Sequence, residues 1–106
     1  MDEPGMHIIY MKVTGKGERA VADSMAAVTD ELKDPDWASW ETTGFYLTTG
    51  EYDLVLIGSS PADIAVGLAI ALTQTGLVTT TLAQAYTPVE TALLPAGIQK
   101  GLIKHN

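Results

Sequence analysis

The stretch Gly44-Phe45-Tyr46-Leu47-Thr48-Thr49-Gly50-Glu51-Tyr52-Asp53-Leu54-Val55-Leu56-Ile57 decides the fold. Two apolar and aromatic runs flank a short Thr-Thr-Gly-Glu break, the pattern of a β-hairpin. Gly50 offers the positive φ that such a turn needs. The run 54–57 shows no alternation of apolar and polar residues, which predicts a strand covered on both faces. A small domain with such a strand at its centre needs material on each side of its sheet.

The segments around the hairpin extend this pattern. Upstream, residues 6–13 form a first strand with apolar residues in both alternating sets: His7, Ile9, Met11 and Val13 on one face, Ile8, Tyr10 and Lys12 on the other. A helix is predicted over 18–32, where Val21, Met25, Val28 and Leu32 make one apolar stripe. Pro35 then disfavours further helix, and residues 34–37 read as a turn. The hairpin strands are expected over 38–48 and 51–57. A second helix is expected to start at Ser60-Pro61-Ala62-Asp63, with Ser60 as cap, Pro61 in the first turn and Asp63 completing a capping box. It runs to about Gln74, and Gly76 is its stop signal. Ile64, Leu68 and Leu72 form its core stripe, while Val66 and Ile70 point elsewhere. A helix apolar nearly all round needs a second cover, supplied by another subunit or by the C-terminal tail.

Residues 77–86 form the last strand, whose Val78-Thr79-Thr80-Thr81 run suits a sheet edge. A short helix is expected after Thr87-Pro88-Val89-Glu90, ended by Pro95. The domain organisation is thus a loose tail at 1–5, a folded domain at 6–87 and a C-terminal helical extension at 88–106. The order β-α-β-β-α-β is that of the ferredoxin-like α+β fold, a four-stranded antiparallel sheet with both helices on one face. Apolar residues on both faces of the first and third strands then predict a homodimer that pairs sheet to sheet, a dimeric α/β barrel.

Composition narrows the function classes. Six basic against thirteen acidic residues leave a net charge of −7, which argues against nucleic acid. Arg19 is the single arginine, so no arginine cluster for phosphate exists. The absence of cysteine excludes disulfides, thiolate metal sites and thiol nucleophiles. The acidic start Met1-Asp2-Glu3-Pro4-Gly5 lacks the apolar core of a signal peptide. The longest apolar run, near 64–72, is too short to span a bilayer. A soluble cytoplasmic protein without membrane contact is expected.

The hairpin resembles the signature of the GYD family. Gly50, Tyr52 and Asp53 match the three residues that name the family, with Glu51 between the first two. The similarity extends through the second helix to Thr79-Thr80-Thr81-Leu82, covering about 6–86. It implies a ferredoxin-like, dimeric α/β-barrel protein of bacterial or archaeal type and says little about chemistry. A weaker resemblance links the Gly-x-Tyr-Asp hairpin, helix and Val-Thr-Thr strand to the effector-binding domain of Lrp/AsnC regulators. That resemblance implies an oligomer holding a ligand between subunits, here without a DNA-binding domain.

Asp53 is out of place in a strand. Its carboxylate either accepts backbone N–H groups or serves as a ligand contact or general base. His7 is the other candidate for proton transfer, with a structural role as its alternative. Tyr10, Trp40, Tyr46 and Tyr52 are the candidate ligand-binding residues, with an aromatic core or interface as the alternative. Trp40 and Tyr46 stand at even spacing on the second strand and are expected on one face, with Glu41, Thr43 and Phe45 on the other. Gly44 marks a bulge or a close backbone approach. Gly15-Lys16-Gly17 lacks Walker spacing, no Gly-x-Ser-x-Gly elbow occurs, and no histidine spacing suits a metal. The expected function is binding of a small, largely apolar organic molecule without a cofactor. Two versions are open: a cofactor-independent enzyme of cyclase or monooxygenase type, by fold-level analogy, or a non-catalytic effector-binding or assembly module.

Overall fold

A computed structural model of the chain describes residues 4–86. The elements follow in the order β1 (Gly5–Val13), α1 (Glu18–Glu31), a 3₁₀ turn (Pro35–Trp37), β2 (Glu41–Leu47), β3 (Leu54–Ser60), α2 (Ala62–Gln74) and β4 (Val78–Ala85). All pairings are antiparallel, and the strand order is β2-β3-β1-β4. This is the ferredoxin-like α+β arrangement. The Thr-rich β4 is an edge of the described sheet, as its β-branched run implies. The expected helix after Pro88 and the extension at 88–106 lie outside the described residues. Gly5, assigned to the loose tail from sequence, is already the first residue of β1.

Cross-strand register sorts every side chain onto one of two faces. Toward the helices lie the rows Phe45–Leu56–Ile9–Leu82 and Leu47–Leu54–Met11–Thr80. Ile9, Met11, Leu54 and Leu56 are sealed from solvent and pack with Val28 of α1 and Ala65, Leu68, Ala69 and Leu72 of α2. Of the predicted α1 stripe, Val28 is buried in this core and Met25 and Leu32 pack against it, whereas Val21 is only partly buried. Ser24 joins them, its hydroxyl donating to the Ala20 carbonyl at 2.7 Å. That internal bond lets a polar residue sit in the core.

Two local expectations need correction. Ser60 does not cap α2: it is the last residue of β3, it is buried, and its Oγ donates to the Pro61 carbonyl oxygen. Pro61 itself holds the cap position with extended backbone, and α2 begins at Ala62 without a side-chain cap. The strand overruns the capping pattern because Ser59 and Ser60 are still paired to β1.

Trp40 and Tyr46 do not share a face. The register of β2 against β3 shifts between Thr42 and Gly44, leaving Thr43 as an extra residue. One extra residue reverses the inside-outside alternation of everything beyond it. Trp40 therefore falls on the helix side and is buried in the core, its indole N–H donating to Thr42 Oγ1 at 2.8 Å. Tyr46 falls on the opposite side and is 54% exposed. For the same reason Phe45 leaves the side of Glu41 and packs on the core. The bulge foreseen at Gly44 is real, and so is the close approach: a side chain there would meet the Tyr46 ring, with its Cβ 2.7 Å from the hydroxyl oxygen.

Candidate functional site: the uncovered face of the sheet

Both helices pack on one face, and the other face is uncovered within the described residues. Its central rows are Tyr46–Val55–Tyr10–Thr81 and Gly44–Ile57–Ile8–Ala83, followed by Glu41–Ser59–Met6–Ala85. Ile8, Tyr10, Val55 and Ile57 are only half-buried, and Met6 and Tyr46 are exposed. In β3 the burial alternates strictly, with Leu54 and Leu56 sealed and Val55 and Ile57 partly open. The unbroken apolar run that predicts a doubly covered strand is thus covered on one side by this chain's own helices. Ile8, Tyr10, Val55 and Ile57 thus form a partly exposed apolar patch at the centre of this face, flanked by polar groups.

The 48–53 loop closes one end of the face. Gly50 takes φ 105°, as its place in the turn requires. Thr48 anchors the loop twice, its N–H donating to the Asp53 carbonyl at 2.9 Å and its hydroxyl donating to the Tyr52 carbonyl at 2.8 Å. Tyr52 is thereby folded back against Tyr10, with ring centroids 4.9 Å apart and planes tilted by 34°. The ammonium of Lys12 stands 5.7 Å from the centre of the Tyr52 ring. The face therefore carries an apolar centre and, at the loop end, the stacked Tyr10 and Tyr52 rings and one cation, while the Tyr46 ring is turned over Gly44.

Asp53 lies just before β3 and clamps the loop to β1. Its N–H donates to the Met11 carbonyl at 2.9 Å, and its Oδ2 accepts from the Val13 N–H at 2.8 Å. A carboxylate at this position gives the end of β1 a ladder partner that the hairpin backbone does not supply, which explains aspartate beside a strand. Asp53→Ala is expected to lower stability by about 1–3 kcal/mol, the cost of leaving a partly buried N–H unpaired. Asp53→Asn, which keeps an acceptor, should recover most of that loss. Urea unfolding of the two variants distinguishes them, and equal midpoints for both would show that the bond carries no stability.

His7 sits on the helix side, 3% exposed, with Nε2 donating to the Ser60 carbonyl oxygen at 3.2 Å. It pairs with Gly58, five residues along β3 from Asp53, a separation of about 17 Å along a strand. Of the six residues singled out from sequence, Tyr10 and Tyr52 meet at the loop end of the uncovered face. Tyr46 shares the row of Tyr10 with its ring turned over Gly44, and Asp53 is bonded to the end of β1 beside them. His7 and Trp40 lie behind the sheet.

A second feature has no counterpart in the sequence reading. An apolar cleft of about 460 Å³, open to solvent, runs between the first turns of α1 and the end of β2, lined by Gly17, Glu18, Val21, Ala22, Met25 and Leu47. Its one signal in the sequence is that Val21 and Met25 begin the α1 stripe, and the stripe reads as core throughout. Leu47, 62% exposed, shows that α1 leaves the β2 edge uncovered there.

Among the described residues no three His, Asp or Glu side chains converge as metal ligands do. No described helix is long and apolar enough to cross a membrane. Comparison of the chain with models of known protein families gives no match, and comparison with curated proteins gives none either.

Proposed function

We propose that this chain is a homo-oligomeric protein of the dimeric α/β-barrel type that binds a small, largely apolar organic molecule on the uncovered face of its sheet, where two copies meet. The observation that carries this is the pair of rows Tyr46–Val55–Tyr10–Thr81 and Gly44–Ile57–Ile8–Ala83, apolar at the centre and left half-exposed by the chain's own helices. Facing apolar sheets lie about 10 Å apart. Hydroxyl groups of Tyr10 and Thr81 in one row, and of Tyr46 over Gly44, supply polar contacts to a ligand held on this face. The likeness of the 44–57 hairpin to the GYD signature, and more distantly to Lrp/AsnC effector domains, agrees with an oligomer that holds its ligand between subunits.

The non-catalytic version of this function is favoured over an enzyme. Its support is the use already made of both proton-transfer candidates: His7 donates to Ser60 beneath the helices, and Asp53 Oδ2 accepts the Val13 N–H. If turnover is found, Asp53, at the loop end, is the group to test before His7. A cytoplasmic location belongs to the same proposal.

The oligomer is tested directly. Light scattering at micromolar concentration is expected to give a dimer or a multiple of one, and a stable monomer would overturn the proposal. Ile57→Glu places a charge at the centre of the face without touching the core. In a two-fold interface the change counts twice, so dissociation is expected to be at least about a hundredfold easier, with the circular dichroism spectrum unchanged.

A further inference from the structure

The cations of this acidic chain are few, and within the described residues they are unequally placed. Arg19 and Lys33 each stand within 4.0 Å of an aspartate on their own helix or at its end, and Lys16 lies in the loop before α1. Lys12 alone rises from the sheet, on its uncovered face, opposite Thr79 of β4. Its ammonium is held toward the Tyr52 ring, and that ring is in turn braced by Tyr10. No described carboxylate lies within ion-pair distance of it. The nearest acid in the register, Asp53, turns its Oδ2 to the Val13 N–H instead.

Covering this face changes the energetics of Lys12. An ammonium taken out of water without an anion is strongly destabilising, and an aromatic ring compensates only in part. A face that is covered as proposed, and whose one cation has no ion-pair partner among the described residues, is complementary to a ligand with one negative charge. Beyond Lys12 the surface is apolar through Tyr10 to Ile8, about 13 Å along the strand, flanked by Val55 and Ile57. These dimensions take an apolar body of a ring or a short chain.

We infer that the ligand is a small monocarboxylic acid, its carboxylate paired with Lys12 and its apolar body lying along Tyr10, Ile8, Val55 and Ile57. This rests on the proposal that the uncovered face binds a small molecule, and it adds the chemical class. Matched probes separate the two claims: octanoate with octanamide, and phenylacetate with phenylacetamide, each titrated calorimetrically into the full chain. The acids are expected to bind at least about tenfold more tightly than their amides, as a hydrogen-bonded charge pair requires. In Lys12→Met the acid should fall to within about twofold of the amide, whereas Lys12→Arg should keep the preference. Circular dichroism and unliganded thermal midpoints of the variants establish that they are folded. Equal binding of acid and amide by the native chain overturns the inference and leaves small-molecule binding standing. An acid preference that survives in folded Lys12→Met overturns it as well. Binding by none of the four probes overturns the monocarboxylate assignment, and the oligomer measurement above then judges the wider proposal separately.

Discussion

Gly58→Ala is expected to unfold much of the molecule's stability, by about 3–5 kcal/mol, the cost of losing a buried aromatic ring from its site. Gly58 stands in the central strand β3, paired to His7 on one side and Thr42 on the other. The Trp40 ring lies directly over its Cα, in the space a Cβ would fill, and that Cβ would also stand 2.8 Å from the Glu41 carbonyl oxygen. Neither neighbour can give way cheaply. The carbonyl belongs to the paired strand, and the ring is fixed among core side chains with its N–H bonded to Thr42. Displacing the ring exposes it to water and opens the core on the helix side of β3. Chemical denaturation measures the loss, and a double-mutant cycle identifies its cause. In the background of Trp40→Phe, whose smaller ring leaves more room, the alanine should cost at least about 1 kcal/mol less than in the native chain. A native-like midpoint for Gly58→Ala alone would show that the indole does not depend on this gap.

Leu56→Ala carries the second large expectation, a destabilisation of about 2–5 kcal/mol. Leu56 is inaccessible to solvent and sits in the row Phe45–Leu56–Ile9–Leu82, with neighbours in register on both sides. The sheet backbone holds those neighbours in place, so the space left by the missing atoms cannot close. Against a typical total of about 5–15 kcal/mol, the variant retains only a small margin. Leu47→Ala is the comparison. Leu47 belongs to the next row of the same face but is 62% exposed at the β2 edge, and its replacement should shift stability by no more than about 0.5 kcal/mol. Comparable losses at the two positions would mean that the β2 edge is covered in solution, most directly by a second copy of the chain.

The two variants also separate the roles of the two faces. Gly58 and Leu56 act on the helix side and should reduce folding and assembly together. Ile57 lies between them in sequence but on the opposite face, and its replacement by glutamate should affect assembly alone. Such contrasting effects from adjacent residues follow from the two-residue period of a strand.

Much of the architecture was legible from the sequence because it depends on local periodicity. The non-alternating run 54–57 marked the central strand, the Val21-Met25-Val28-Leu32 spacing marked the inner face of α1 from Met25 onward, and Gly50 marked the turn. These signals need no knowledge of what lies across from them. The same holds for the reading of Asp53 as an acceptor for backbone N–H groups, one of the two alternatives that an aspartate beside a strand offers.

The tertiary structure decided what depends on register. A single extra residue at Thr43 put Trp40 in the core and Tyr46 on the uncovered face. Gly44 signalled a bulge or a close approach, and only strand pairing decided that an extra residue reverses the alternation there. Pairing of Ser59 and Ser60 with β1 carried the strand through a sequence that reads as a helix cap, because ladder hydrogen bonds outweighed a local capping preference. The alternation of β1 already set His7 and Tyr10 on opposite faces; which of the two sets faces the helices was decided by tertiary packing, since both are rich in apolar residues. The sequence by itself therefore determined which elements form and in what order. Which candidate residues share a surface was decided by strand pairing, because that choice rests on contacts between segments far apart in the chain.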